Sequence, residues 1–136
     1  FGQRGADQTD EGIEIKPGVS VLSAPLKFNM DGCVKFAYPH GHDELLMVAL
    51  ENKTSRETLL RTVPEVDADG TFRDFRPHQV YRDDKGFTVT KRDDYEMVMV
   101  HHHPLQNPNI HHGMGNYLLY MTPGVCPQSA NTASAR

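Results

Sequence analysis

The chain has 136 residues, 38% of them apolar, and 14 Lys and Arg against 18 Asp and Glu for a formal charge of −4. That size and balance fit one domain and leave no room for a second of ordinary size. No basic cluster is longer than Lys91-Arg92, so the concentrated positive field that a nucleic acid requires is missing. The longest apolar runs, residues 45–50 and 117–121, fall far short of the roughly 20 residues of a membrane-crossing helix. Neither nucleic acid nor a membrane span is expected.

Residues 1–12 are polar, rich in glycine and acids, and cannot bury enough apolar surface to order themselves, which predicts a flexible N-terminal arm. Beyond them, runs of Val, Leu, Tyr and Met alternate with Gly, Pro, Asn and Asp at short intervals, the punctuation of an all-β chain. Strands are expected over residues 12–16, 20–23, 26–30, 33–38, 44–51, 57–62, 81–87, 95–102 and 115–122. Turn signals stand at Pro17-Gly18, Asp31-Gly32, Asp69-Gly70 and Asp84-Lys85-Gly86. Residues 54–62 are the one stretch that offers a helix, but their Thr and Ser content favours a strand. Segments 96–100 and 116–121 are apolar on both alternating faces, as in the middle of two packed sheets. The expected fold is an antiparallel, jelly-roll-like β-sandwich over residues 13–126, followed by a flexible tail at 127–136. No internal repeat supports a solenoid or propeller.

Two cysteines, Cys33 and Cys126, and one sequon, Asn52-Lys53-Thr54, suit an oxidising compartment, with Asn52 the glycosylation candidate. A chain that opens on Phe1 is expected either to have lost a targeting segment or to be part of a longer chain. Together these predict a secreted protein, extracellular or periplasmic.

Eight histidines and six methionines offer more borderline and soft metal ligands than a core needs. His40-Gly41-His42 places two imidazoles on one face of an extended strand, near enough to share an ion. Met114, between Gly113 and Gly115 at the mouth of an apolar strand, can present its thioether to a site or fill the core. His101-His102-His103 ends another apolar strand, with His101 and His103 on one face and His102 on the other; a solvated strand end is the plainer reading. His111 and His112 precede the methionine and are further candidates.

Pro39-His40-Gly41-His42-Asp43, then residues 87–100, then a histidine and Met114-Gly115-Asn116-Tyr117-Leu118-Leu119-Tyr120 occur in an order that resembles one family. It is the copper type II, ascorbate-dependent monooxygenases, the group of peptidylglycine α-hydroxylating and dopamine β-monooxygenase. The likeness is to their second, catalytic-copper domain and its small microbial relatives, and it spans about residues 26–122. It implies a copper held by His40, His42 and Met114, with His111 or His112 at the position of a histidine that precedes the methionine. It also implies a disulfide between Cys33 and Cys126, enclosing the copper motifs and stapling the first and last strands of the sandwich. The family's separate electron-supplying copper domain has no counterpart in these 136 residues, and its substrate-anchoring groups do not map onto them.

The ligand chemistry favours the same metal, because zinc and hard cations rarely accept a thioether and Cu(I) does. The leading expectation is therefore a copper-binding domain for metal binding, delivery or redox, and not necessarily an enzyme. One alternative is a small copper-dependent oxidase or monooxygenase with an external reductant. Another is a structural subunit whose arm, residues 1–23, adds as a strand to a neighbouring copy.

Overall fold

The computed structural model describes residues 13–42, 44–68, 72–75, 79–104 and 111–127. The expected arm, most of the expected tail, Asp43 and the Asp69-Gly70 turn signal lie outside them. Within the described residues the chain forms strands β1 (Ile13–Ile15), β2 (Gly18–Leu26), β3 (Gly32–Gly41), β4 (Leu45–Asn52), β5 (Glu57–Thr62), β6 (Glu65–Val66), β7 (Phe72–Asp74), β8 (Tyr81–Val89), β9 (Tyr95–His103), β10 (His111–Gly113) and β11 (Gly115–Pro123). Two antiparallel sheets, ordered β11-β3-β8 and β2-β9-β4-β5, pack face to face, with the small pairs β1-β10 and β6-β7 beside them. The fold is an all-β sandwich. No helix among the described residues is long and apolar enough to cross a membrane.

Alternation along the strands explains the layers. In β9, Tyr95, Met99, His101 and His103 are buried while Glu96, Val98, Val100 and His102 alternate with them and are only partly covered, as a two-residue period requires. One inner cluster joins Val34, Ala37 and Val89 of the three-stranded sheet to Leu50, Leu60 and Tyr95 of the four-stranded one. A second gathers Leu45, Val48, Met99 and Phe75. Tyr117 ties the sheets together by a polar bond. Its hydroxyl donates to the Val48 carbonyl at 2.9 Å and meets Thr62 Oγ1 at 2.8 Å.

Several expectations need correction. Residues 20–23 belong to β2, which runs unbroken through Pro25 to Leu26, because it lies at a sheet edge where a missing N–H costs little, and the strand expected over 26–30 is not formed beyond Leu26. Residues 13–15 and 18–26 pair with β10 and β9 of their own chain, so this part of the proposed arm is not free to add to a neighbour. Asp84-Lys85-Gly86 is no hairpin turn but a bulge inside β8: Val34 pairs with Phe87 and Phe36 with Arg82, leaving Asp83–Gly86 opposite Lys35 alone. Gly86 takes φ 68° there, and Lys85 N–H donates to Asp83 Oδ1 at 2.9 Å. Strands β6, β7 and β10 were not expected; each has only two or three residues, too few to show a period.

Cys33 and Cys126 form a disulfide, with Cα atoms 4.7 Å apart. Cys33 lies on β3, the third strand, and Cys126 just beyond β11, so the bridge does not join the first and last strands as expected. It fastens the segment after β11 onto the β3–β8 pair, where Cys126 N–H also donates to Thr88 Oγ1 at 2.9 Å. The sequon asparagine, Asn52, is 7% exposed. Its Oδ1 accepts from the Thr54 and Ser55 N–H groups at 2.9 and 3.0 Å, and its Nδ2 donates to Asp93 Oδ2 at 3.0 Å. That amide builds the β4–β5 turn, and a glycan on it would displace the Asp93 bond.

Candidate metal centre

His40 is the last outward-facing residue of β3. Along that strand Ala37 and Pro39 are buried while Tyr38 and His40 are exposed and Phe36 is half-buried, so Phe36, Tyr38 and His40 share the outer face. His42 follows immediately after the strand. The two rings stand edge to face, with centres 5.2 Å apart. A ligating imidazole nitrogen lies about 2 Å from a transition metal, which puts the ring centre roughly 3 Å from the ion and two such centres about 5 Å apart. The spacing fits a pair that shares one ion.

The β3–β11 ladder brings the methionine to this pair across more than 70 residues of sequence. Asn116 pairs with His40 and Gly115 with Gly41, and the His42 N–H donates to the Met114 carbonyl at 3.3 Å. Met114 lies between two buried glycines and is itself half-buried, so the alternation sets it on the outer side with Asn116. The backbone of Met114 thus lies beside His40 and His42 at one end of the three-stranded sheet, although no His-His-Met metal group is formed among the described residues.

Gly41 faces a filled inner layer, not an open one. A Cβ there would collide with Leu45 and lie 3.2 Å from the Met114 carbonyl, so glycine is what lets β3 and β11 close at this end. The two glycines around Met114 serve the same purpose. A Cβ on Gly113 would collide with Ile15 and stand 2.6 Å from His101 Nε2. On Gly115 it would stand 2.9 Å from Met99 Cγ and 3.1 Å from Leu45 Cδ1. The Met114 segment therefore lies flat on the inner face of β9.

His101 and His103 share that inner face, as the spacing predicts, but they are wholly buried and do not form a solvated strand end. Burial pushes the His101 imidazole below the usual histidine range, opposed by the nearby Met114 carbonyl and by Glu44. Neither His101 nitrogen completes a hydrogen bond among the described residues. His103 Nδ1 lies 3.6 Å from Glu44 Oε1, and Glu44 holds the uncommon φ of 72° just before β4 while its carbonyl accepts the His102 N–H at 2.8 Å. His111 and His112 pair with Ile15 and Glu14 across β1 and β10; their side chains lie outside the description.

Among the described residues no three His, Cys, Asp or Glu side chains converge to hold a metal ion. Met114 is the methionine whose backbone lies beside His42. Sequence reasoning missed two neighbours of the site. Glu44 has no motif beyond its place in a turn. The outer row Tyr38, Leu118 and Tyr120, exposed by 42, 51 and 57%, was legible in the i, i+2 spacing of Tyr38 with His40 and of Leu118 with Asn116. Leu118 pairs with Tyr38 and Tyr120 with Phe36, and the Phe36 and Tyr120 rings meet edge to face at 5.3 Å. The row runs directly away from His40. No protein-family model, curated protein or solved structure matches the chain.

Proposed function

We propose that the chain is a copper-binding β-sandwich domain of a secreted protein, holding one copper through His40, His42 and Met114 for copper binding, delivery or redox. The observation that carries this reading is the facing imidazole pair with a glycine-flanked methionine pinned beside it by the His42 N–H. Two imidazoles and a thioether are a borderline-to-soft set that accepts both oxidation states of copper and disfavours zinc and hard cations. Copper there would supply one-electron redox chemistry. The protein's part is to orient the two rings, hold the thioether on the same face and leave a further coordination position toward solvent. The disulfide accords with an oxidising compartment, and the order of the motifs keeps the likeness to the catalytic domain of the ascorbate-dependent copper monooxygenases as part of the proposal.

Metal analysis of protein purified without chelator tests it. One copper per chain is expected. His40→Ala or His42→Ala should abolish tight binding of Cu(I) and Cu(II), and Met114→Ala should weaken Cu(I) by about tenfold or more while changing Cu(II) less. Unchanged Cu(I) affinity in Met114→Ala would sink the ligand set.

The exposed row Tyr38, Leu118 and Tyr120 beside His40 favours a second reading, a small copper-dependent oxidase or monooxygenase acting on an apolar or aromatic substrate laid along that face. Oxygen uptake by the copper-loaded protein with ascorbate separates it from a carrier: substrate-stimulated uptake supports the enzyme, and none leaves metal binding alone.

A further inference from the structure

The Met114 segment rests on a buried imidazole for which the copper reading has no use. His101 is wholly buried with both nitrogens unpartnered among the described residues. The ring edge at Nε2 and Cδ2 lies against Gly113 so closely that a Cβ there would be 2.6 and 2.8 Å away. The neighbouring Met114 carbonyl, which the His42 N–H grips from the metal side, acts on the ring electrostatically. The Met114 backbone is thereby held between His42 on one side and His101 on the other.

We propose that His101 is a positioning residue for Met114: its ring is the floor under Gly113-Met114-Gly115 and sets how far the thioether stands out toward His40 and His42. This rests on the copper reading above. Interior packing is too dense to absorb a displaced floor without moving the strand that lies on it, and outer contacts of this kind change metal affinity by about 10–100-fold when lost. His101 lies against the segment that carries the soft donor, so its loss should weaken Cu(I) more than Cu(II), a discrimination that a general loss of folding does not make.

The experiment compares wild type, His101→Phe, His101→Gln, Met114→Ala and the double variant His101→Phe/Met114→Ala. Cu(I) and Cu(II) affinities are measured separately, copper–sulfur scattering is measured by X-ray absorption, and the ¹³C-methyl signals of methionine are followed in metal-free protein. His101→Phe should lower Cu(I) affinity by about tenfold and leave Cu(II) nearly unchanged. It should also weaken the sulfur signal and shift the Met114 methyl resonance in the metal-free protein, with that of Met30 fixed. In the Met114→Ala background the same change should have no further effect on Cu(I), since the coupling runs through that side chain. His101→Gln serves the same comparison if His101→Phe does not fold. Equal losses of Cu(I) and Cu(II), or a loss that persists without Met114, would overturn the positioning role. A wild-type copper site with sulfur bound and a His101 variant indistinguishable from it would overturn that role while leaving the copper reading intact. Wild-type copper without sulfur scattering would overturn both.

Discussion

Tyr117 carries more of the fold than its place on an outer strand suggests. Its hydroxyl spans from the three-stranded sheet to Val48 and Thr62 of the other. Burial pushes the phenol up to about 12, with the Thr62 hydrogen bond pulling weakly the other way. The unfolded phenol ionises near pH 10, so between about pH 10 and 12 the folded state holds a proton that the unfolded state has released. Stability conferred by this group is therefore complete below pH 10 and is lost as pH rises through 12, a fall on the order of 2 kcal/mol. Tyr81, also raised by burial and by Asp83, acts in the same direction. Urea unfolding should show the alkaline decline in wild type and a shallower one in Tyr117→Phe, which should lose about 1 kcal/mol at neutral pH for the missing bond. An identical alkaline slope in the variant would assign the decline elsewhere.

Among the elements, β8 shows best how a correct local signal can be given the wrong setting. Asp-Lys-Gly does turn the chain, and Gly86 does take a positive φ, yet the turn is spent as a bulge opposite Lys35. Whether such a signal reverses a strand or kinks it depends on the partner strand, which is remote in sequence. Gly86→Ala should be costly for two reasons: the left-handed φ, and a Cβ that collides with the Val34 carbonyl and lies 3.0 Å from Cys33 Sγ. A loss of about 2 kcal/mol in denaturant unfolding is expected, and a change under about 0.5 kcal/mol would mean that the bulge relaxes freely. By contrast, β9 was legible almost to its ends, because residues 95–100 form a continuous run of Tyr, Met and Val broken only by Glu96. Strand β2 instead runs through Pro25, because at the sheet edge the missing N–H costs little.

At the scale of the whole molecule, the disulfide closes a sequence separation of 93 residues. In the chain-entropy view this removes roughly 4–5 kcal/mol of denatured-state freedom before strain is subtracted. Reduction, or Cys126→Ser, should lower the thermal midpoint markedly while the β-rich circular dichroism of the native protein persists at low temperature; an unchanged midpoint would show that the sheets alone hold that end. The same scale limits what could be read of the site. His40 and His42 declare their proximity through their spacing, but nothing local ties either to Met114; only the pairing of β3 with β11 does. Glycines 41, 113 and 115 are needed because Leu45, Ile15, Met99 and His101 arrive from other strands, so their purpose is invisible along the chain.

The ladder between β3 and β11 has unlike ends. Near Cys33 and Thr122 a covalent bond fastens the chain just beyond it; at the other end, on the order of 25 Å away by strand rise, the paired residues are Gly41 and Gly115. Fraying is thus barred by a covalent bond at one end, while the other is held by non-covalent contacts, the His42 N–H bond to the Met114 carbonyl among them. The cystine therefore anchors the ladder at the end away from the proposed ligands, and the end that bears His40, His42 and Met114 depends on packing and hydrogen bonds alone.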